Sequence, residues 1–512
     1  MSETFKTATP RMPRQIPFII GNEGCERFSF YGMRNILTVF LMTSLLLSIP
    51  EPLRKGEAKE VFHTFVIGVY FFPLLGGWLS DRFFGKYNTI LWLSLVYCAG
   101  HACLAIFENK LEGFYFGLFL IALGSGGIKP LVSSFVGDQF DKSNRSLAQK
   151  VFDAFYWIIN FGSFFASLLM PVLLKTYGAS VAFGIPGVFM FIATMIFWAG
   201  RRRYVIVPPT AGKDPNSFLK VVRTALSHAG AGQVVAGLGV ALALVAAANW
   251  KGLGIVPAAC LALVLVMGFG GLGAWMQLDR ARARHGEEAV RAVRAVLQLL
   301  VLFALVTPFW SLFDQKASTW ILQADQMSKP EWFQSSMMQA LNPLLVMLLI
   351  PFNNLLLYPM LARAGVKVTA LRRMGWGIAF SSFAFAVVGC FQLWIDDGHQ
   401  VTILWQVLPY ALLTFGEVLV SATGLEFAYS QAPLQMKGVI TSFWNLSVTV
   451  GNLWVLLSNN SVKSPAASAY IEGLGFSVTA FQMFFFAGFA LLAAACFGLY
   501  ARRYTLQDNY RN

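Results

Sequence analysis

Fourteen apolar stretches, each long enough to cross a bilayer as a helix, run through this chain of 512 residues. A crossing needs about 20 residues at 1.5 Å rise each. The stretches fall near 16–47, 61–79, 88–107, 113–135, 152–173, 181–200, 232–250, 253–276, 295–323, 334–361, 371–393, 402–429, 438–458 and 477–501. Hydrophobic residues make up 56% of the chain and charged residues 12%, against about a quarter charged in a soluble protein. The fold class that follows is an all-α polytopic membrane protein.

The net charge is +14, which would suit nucleic acid as a partner. The distribution excludes it, because the charges sit in short loops where they set orientation. One set of loops carries Arg82 and Lys86; Lys142, Arg145 and Lys150; Arg201 to Arg203, Lys213, Lys220 and Arg223; Arg280, Arg282, Arg284 and Arg291; Arg363, Lys367, Arg372 and Arg373; Lys437; Arg502 and Arg503. The alternate set is sparse or acidic, with Glu108 and Glu112, Asp325 to Glu331, Asp396 and Asp397. The positive-inside rule places the basic set in the cytoplasm, and both termini with it. Six cysteines (Cys25, Cys98, Cys103, Cys260, Cys390, Cys496) lie in apolar spans without metal-ligand spacing and read as small buried hydrophobes. The N-terminal stretch, with Lys6, Arg11 and Arg14, lacks the pattern of a cleaved signal peptide.

The grouping of spans carries more than their number. Six spans precede a basic linker that begins at Arg201. Two bland spans rich in Gly, Ala, Val and Leu follow, with Lys251 in the turn between them, then a second basic linker to Arg294 and six more spans. The expected organisation is an N-terminal six-helix bundle over 1–203, a linker with an inserted transmembrane hairpin over 204–293, and a C-terminal six-helix bundle over 294–512. Two six-helix bundles joined by a long cytoplasmic connection resemble the major facilitator fold.

Residues 23–34 put four ionisable side chains inside the first span. Glu23, Arg27, Tyr31 and Arg34 recur at helical spacing on one face, with Glu26 beside them. Such residues are too costly to face lipid, at roughly 2.5–3.5 kcal/mol each on insertion scales. The face therefore lines protein or a watery cavity. Two carboxylates beside one guanidinium leave one acid unmatched, and an unmatched buried carboxylate tends to take a proton. A structural ion pair that locks helix to helix accounts for the same residues.

Three further runs are chemically marked. Residues 76–86 read Gly-Gly-Trp-Leu-Ser-Asp-Arg-Phe-Phe-Gly-Lys. The glycines permit close helix approach, and Asp81, Arg82 and Lys86 can clasp neighbouring helix ends, as in the loop motif of major facilitator proteins. A tight charged turn describes them equally. Residues 124–140 carry Gly-Gly-Ile-Lys-Pro and Gly-Asp-Gln-Phe. Lys129 lies mid-span and needs an acid, with Glu26 or Glu23 the natural candidate, and Pro130 bends the helix. Residues 155–162 read Phe-Tyr-Trp-Ile-Ile-Asn-Phe-Gly; the Asn160 amide suits a peptide-like group or a helix–helix hydrogen bond.

Together with Glu-x-x-Glu-Arg-Phe-x-Phe-Tyr at 23–31, these runs resemble the proton-dependent oligopeptide transporter family over nearly the whole chain. Bacterial members of that family also carry an extra helix pair between the bundles. The resemblance implies proton-coupled symport of di- and tripeptides by alternating access in a bacterial cytoplasmic membrane, with no cofactor and with a monomer as the working unit. It implies proton coupling by Glu23, Glu26, Arg27 and Lys129, and protonation of His63 near the outer gate, where an imidazole that titrates near neutrality fits. It also implies attraction of the peptide carboxylate by Arg34 and Lys129, and contacts from Tyr31, Tyr70 and Asn160 to its backbone. One departure is visible: the family pattern usually ends in two tyrosines, and here Phe30 precedes Tyr31.

The second half supplies the complement. Phe-Trp-Ser-Leu-Phe-Asp-Gln at 309–315 again resembles the family. Trp310 and Asp314 share a face, and Asp314 is the expected counter-charge for Arg34 in a gating ion pair and a further proton-coupling group. Asn342 lies in Leu-Asn-Pro, Glu417 and Ser421 in Thr-Phe-Gly-Glu-Val-Leu-Val-Ser, and Glu426 and Tyr429 in the run that follows. Glu417 has no base nearby in its own helix; the resemblance makes it, with Asn342, the pocket for the peptide ammonium. Trp310 and Trp444 would wall the cavity or pack between helices. The expected partners are di- and tripeptides, protons and membrane lipids. The alternative cargo on the same fold is nitrate or a peptide-like drug. No HExxH, Ser/His or Cys/His arrangement or phosphate-binding glycine loop marks an enzyme.

Overall fold

The computed structural model describes residues 12–140, 147–209, 216–431 and 437–504. Of the residues named above, Lys6, Arg11, Lys142, Arg145 and Lys213 lie outside them, as do the side chains of Lys150, Tyr429 and Lys437. Among the described residues the chain is helical, with one isolated β-bridge between Ser328 and Thr402.

The helices in chain order are α1 (Ile16–Phe40), α2 (Glu51–Leu79), α3 (Gly85–Ile106), α4 (Leu111–Asp138), α5 (Ala148–Tyr177), α6 (Ala179–Ala199), α7 (Phe218–Leu226), α8 (Ala231–Ala248), α9 (Trp250–Leu253), α10 (Ile255–Gln277), α11 (Arg282–Gln315), α12 (Thr319–Gln326), α13 (Leu341–Phe352), α14 (Tyr358–Arg363), α15 (Ala370–Asp396), α16 (Val407–Glu417), α17 (Thr423–Gln431), α18 (Lys437–Ser461), α19 (Pro465–Gly473) and α20 (Val478–Arg503). A π turn, Asn353–Leu357, joins α13 to α14, and another, Val418–Ala422, joins α16 to α17, so each pair makes one crossing. Among the described residues eleven stretches are long and apolar enough to span a bilayer. Two of them, Leu53–Ile106 and Ile255–Gln326, run through a bend and hold two crossings each. Adding α1, which its four ionisable residues make less apolar, gives the fourteen crossings read from the sequence.

By backbone proximity the chain divides into two compact units, Met1–Phe40 with Phe72–Ala211, and Leu41–Phe71 with Gly212–Asn512. The division passes through α2, two residues before Pro73.

In the first unit α1 packs on α5 and α6, and α3 on α4 and α6. Phe40, Phe114 and Phe183 form a buried aromatic triad with centroids 5.0–5.3 Å apart. Polar cross-links pin α1 in rotation: Asn22 donates to the Ala193 carbonyl at 2.9 Å, Ser29 meets His101 at 2.9 Å and Asn35 donates to Ser167 at 2.5 Å. Gly76 of α2 faces Gly127 of α4 so closely that a Cβ there would overlap the Gly127 backbone. Small residues at a membrane helix crossing permit this approach. The charged turn that follows is a π turn, Ser80–Phe84, and the clasp it leads into is Lys86 with Asp138 at the end of α4, 2.7 Å apart.

In the second unit α7 lies with Phe218, Val221 and Ala225 buried and Lys220 and Arg223 outside. The hairpin is α8 against α10, crossing where Gly232 meets Gly273. Helix α2 begins ten residues earlier than hydropathy alone suggests, at Glu51. Arg54 donates to the Ile49 carbonyl at 2.9 and 3.0 Å, and buried Lys59 donates to Gln482 at 3.1 Å. All six cysteines are free. Four are half-buried, but Cys390 and Cys496 are exposed, which corrects their reading as buried. An apolar cysteine on a lipid-facing surface needs no burial, since lipid tails are as apolar as a core.

Candidate functional site

Two groups of buried polar side chains occur in the first unit. Helix α1 presents Glu23, Glu26 and Arg27 together, because steps of three and four residues return to one face. Arg27 Nε lies 2.6 Å from Glu23 Oε1 and 3.2 Å from Glu26 Oε2, and both acids are 2% exposed. One guanidinium thus serves two carboxylates. Among the described residues Glu26 Oε1 meets no hydrogen-bond donor. The charge of Lys129, from α4, also bears on Glu26. The Lys129 ammonium stands over the Phe30 ring at 3.9 Å, so the residue that departs from the family pattern serves as a cation–π platform. Tyr31 meets Phe30 edge-on, at 5.4 Å, and Arg34 is buried two turns from Arg27. Asn160, on α5, donates to the carbonyl of Tyr156 in its own helix at 2.9 Å, rather than spending that donor on a neighbouring helix.

The second group lies alongside. His101 is wholly buried, accepts or donates to Ser29 through Nε2, and stacks on Tyr97 at 5.1 Å. The sequence does not mark it, because a lone His in an apolar helix carries no motif.

In the second unit, the first cluster joins His63 to Asp314. Asn452 of α18 donates to Asp314 Oδ2 at 2.8 Å and to the Val448 carbonyl at 3.0 Å, so its Oδ1 accepts from His63 Nδ1 at 2.6 Å. His63 Nε2 faces the Ser318 hydroxyl at 2.9 Å. A hydroxyl accepts as readily as it donates, so the ring can hold one proton or two without losing either contact. Nothing in the sequence marks Asn452 or Ser318, whose partners lie on other helices.

The second cluster surrounds Glu417, the last residue of α16, directly before the π turn that holds Ser421. π turns are common where a helix serves function, since the extra residue redirects side chains. Lys316 is 4% exposed and donates to Asn342 Oδ1 at 2.7 Å; Asn342 Nδ2 donates to Glu417 Oε2 at 2.5 Å and to Thr414 at 3.1 Å. Lys316 also stands over the Phe313 ring at 3.4 Å. The base that Glu417 lacks in its own helix is thus supplied by Lys316, relayed through an amide. Trp310 and Trp444 are each 6% exposed and meet edge-to-face at 5.8 Å, so both pack. Trp310 Nε1 finds no acceptor among the described residues. Tyr70 is partly buried against the same core, and Glu426 is exposed.

Comparison with known proteins adds the family. A family model described as PTR2, the POT family, matches residues 87–471. Peptide transporter 3 of Caenorhabditis elegans is 31% identical over 404 residues, covering 75% of this chain and 51% of that protein. The chain spans about half the length of the curated relatives it matches. The crystal structure of the POT family transporter PepTSo superposes with a TM-score of 0.95 at 69% identity, covering 98% of this chain and 100% of that one. An auto-inhibited POT family peptide transporter gives 0.94 at 63% identity, over 98% and 99% of the two chains.

Proposed function

The chain belongs to the POT family, and from that premise we propose that it is a secondary active transporter, a proton-coupled symporter of di- and tripeptides that works by alternating access. Its fold is the all-helical major facilitator fold with an inserted hairpin. The observation that carries the reading is the pair of acids, Glu23 and Glu26, on one buried guanidinium. Two buried carboxylates share Arg27 and need Lys129 as well to balance their charge; when Lys129 is drawn away one acid is left unmatched at bilayer depth and takes a proton, so the cluster couples a proton to a change of structure.

The roles follow from charge. Glu23, Glu26, Arg27 and Lys129 form the proton-coupling network, and His63 and Asp314 belong to it as a second group. Arg34 and Lys129 attract the peptide carboxylate. Glu417 with Asn342 takes the ammonium, and Lys316 is added to that set as the cation a bound ammonium displaces. Tyr31, Tyr70, Asn160 and Ser421 complete the peptide site, and Trp310 and Trp444, packed edge-to-face, back its wall. Arg34 and Asp314 form the gating ion pair. A dipeptide is a zwitterion of nearly fixed backbone length, so reading its two ends leaves the side chains free to vary. When the carboxylate engages Arg34 and Lys129, their pairing with the acids weakens and the acids take protons. The neutralised bundles then rock inward. The inside-negative potential contributes about 2.3 kcal/mol per charge per 100 mV.

The domain boundaries at 203 and 294, the cytoplasmic termini, the monomeric working unit and a bacterial cytoplasmic membrane belong to the same proposal. The test is uptake of a labelled dipeptide into proteoliposomes under an imposed pH gradient. Accumulation that collapses with a protonophore supports symport. No accumulation in either gradient direction overturns it. Glu417 favours an ammonium-bearing cargo over nitrate, and inhibition of dipeptide uptake by nitrate would reverse that preference.

A further inference from the structure

A cavity of about 610 Å³ lies within the second unit, lined by none of the residues assigned to transport, between α10 of the hairpin and helices α11, α18 and α20. Its walls are apolar, with Met267, Leu300, Ala304, Leu446 and Val450 typical of them. By volume it would hold about 20 waters, each needing two to four polar partners. Beyond the Gln298 amide the walls offer few of them. The Thr307 hydroxyl donates to the Ala304 carbonyl and accepts from Trp454 Nε1, at 2.8 and 3.0 Å. Ser447 donates to the Trp444 carbonyl at 2.6 Å, and Tyr500 to the Gln298 carbonyl at 3.2 Å. The cavity reaches the protein surface along an apolar edge, since its lining residues Leu272, Trp275 and Val301 are 54%, 37% and 43% exposed.

One end of the cavity is basic. The Arg294 guanidinium stands 5.4 Å from the Trp275 ring. Arg294 and Arg282 share the single carboxylate of Asp279, at 2.9 and 2.8 Å, so two cations meet one anion. Residues 278–294 hold five arginines against three acids. Exposed Arg502 and Arg503 follow Tyr500 of the cavity wall in α20.

We propose that this cavity binds an anionic phospholipid, one acyl chain filling the space between α10 and α11 and the phosphate resting at Arg294. An apolar slot that reaches the surface along an apolar edge and ends beneath a surplus of arginines matches both parts of that molecule. The inserted hairpin then gains a role, as the outer jaw of a lipid clamp on the second unit. The inference does not rest on the transport reading.

The test is native mass spectrometry of the full chain in detergent, titrated with phosphatidylglycerol or phosphatidylcholine. The wild type retains one phosphatidylglycerol in preference to phosphatidylcholine. A Cβ at Gly268 meets nothing within 4 Å, so Gly268→Phe fits the fold and fills the slot, and it lowers lipid retention about tenfold. Arg294→Gln brings phosphatidylglycerol down to the level of phosphatidylcholine. A phosphatidylglycerol with a photoreactive acyl chain labels peptides of α10 and α11. Undiminished retention in Gly268→Phe, equal binding of the two lipids by the wild type, or labelling confined to other helices would each overturn the proposal. Dipeptide binding by both variants reports that they are folded. Its absence from the wild type as well would count against the transport reading and leave the lipid result standing.

Discussion

The proposed ammonium site at Glu417 gives the most discriminating prediction, because one substitution separates it from a purely structural carboxylate. Glu417 is partly accessible, and it accepts from Asn342 at 2.5 Å while Asn342 accepts from Lys316 at 2.7 Å. A peptide ammonium that reaches Glu417 makes a charge-assisted hydrogen bond, worth about 1.5–3 kcal/mol, where a glutamine side chain would offer a neutral one of about 0.5–1.5 kcal/mol. The difference is about 1–1.5 kcal/mol, so Glu417→Gln weakens dipeptide binding roughly 5- to 13-fold. In the empty protein Lys316 already bears on this acid through the Asn342 amide, whose place a bound ammonium has to take. Lys316→Gln therefore moves the other way, and tightens binding of a free-amino dipeptide by a few-fold.

The control is an N-acetylated dipeptide, which keeps the carboxylate and loses the cation. Its affinity should be weak in the wild type and change less than about twofold in Glu417→Gln, since no ion pair is lost. Isothermal titration of both ligands against wild type, Glu417→Gln and Lys316→Gln gives the comparison. Equal losses for the free and acetylated peptides would make Glu417 a scaffold residue. Unchanged affinity for the free-amino peptide would remove it from the site.

Three further outcomes are expected. Glu26→Gln abolishes accumulation driven by a pH gradient yet leaves dipeptide counterflow in proteoliposomes; accumulation at the wild-type level would take Glu26 out of the coupling network. Phe30→Leu removes the ring beneath Lys129, a contact worth about 0.5–2 kcal/mol, and weakens dipeptide affinity several-fold, whereas Phe30→Tyr retains it; titration curves that coincide for Leu and wild type would refute the platform. Gly76→Ala lowers the thermal midpoint in detergent because its Cβ overlaps the Gly127 backbone, while Gly77→Ala, with nothing within 4 Å, does not; equal midpoints would show that α2 and α4 do not need the close approach.

What could be read before the structure follows from where the information sits. The acids of α1 stand out because four ionisable residues interrupt an otherwise apolar span, and one helix brings them together by its own periodicity. The hairpin stands out by composition. Lys316 does not, although it is more deeply buried than Glu417. It follows Asp314 and Gln315 near the end of a span, where a lysine reads as an interfacial anchor, and its partners lie 26 and about 100 residues further on. Asn452 is silent for the same reason: its amide has meaning only between Asp314 and His63, 138 and 389 residues away. Charge also misled in the opposite sense. Glu51 to Glu60 look like a loop, but Lys59 finds Gln482 and Glu60 finds Lys463 at 2.6 Å, so a charged segment continues α2 as helix. The π turn after Glu417 leaves no mark in hydropathy, because one extra residue per turn barely alters the apolar pattern. Local periodicity thus reveals groups that one helix collects. Groups completed across helices, and the turn that aims one of them, become visible only when the helices are packed.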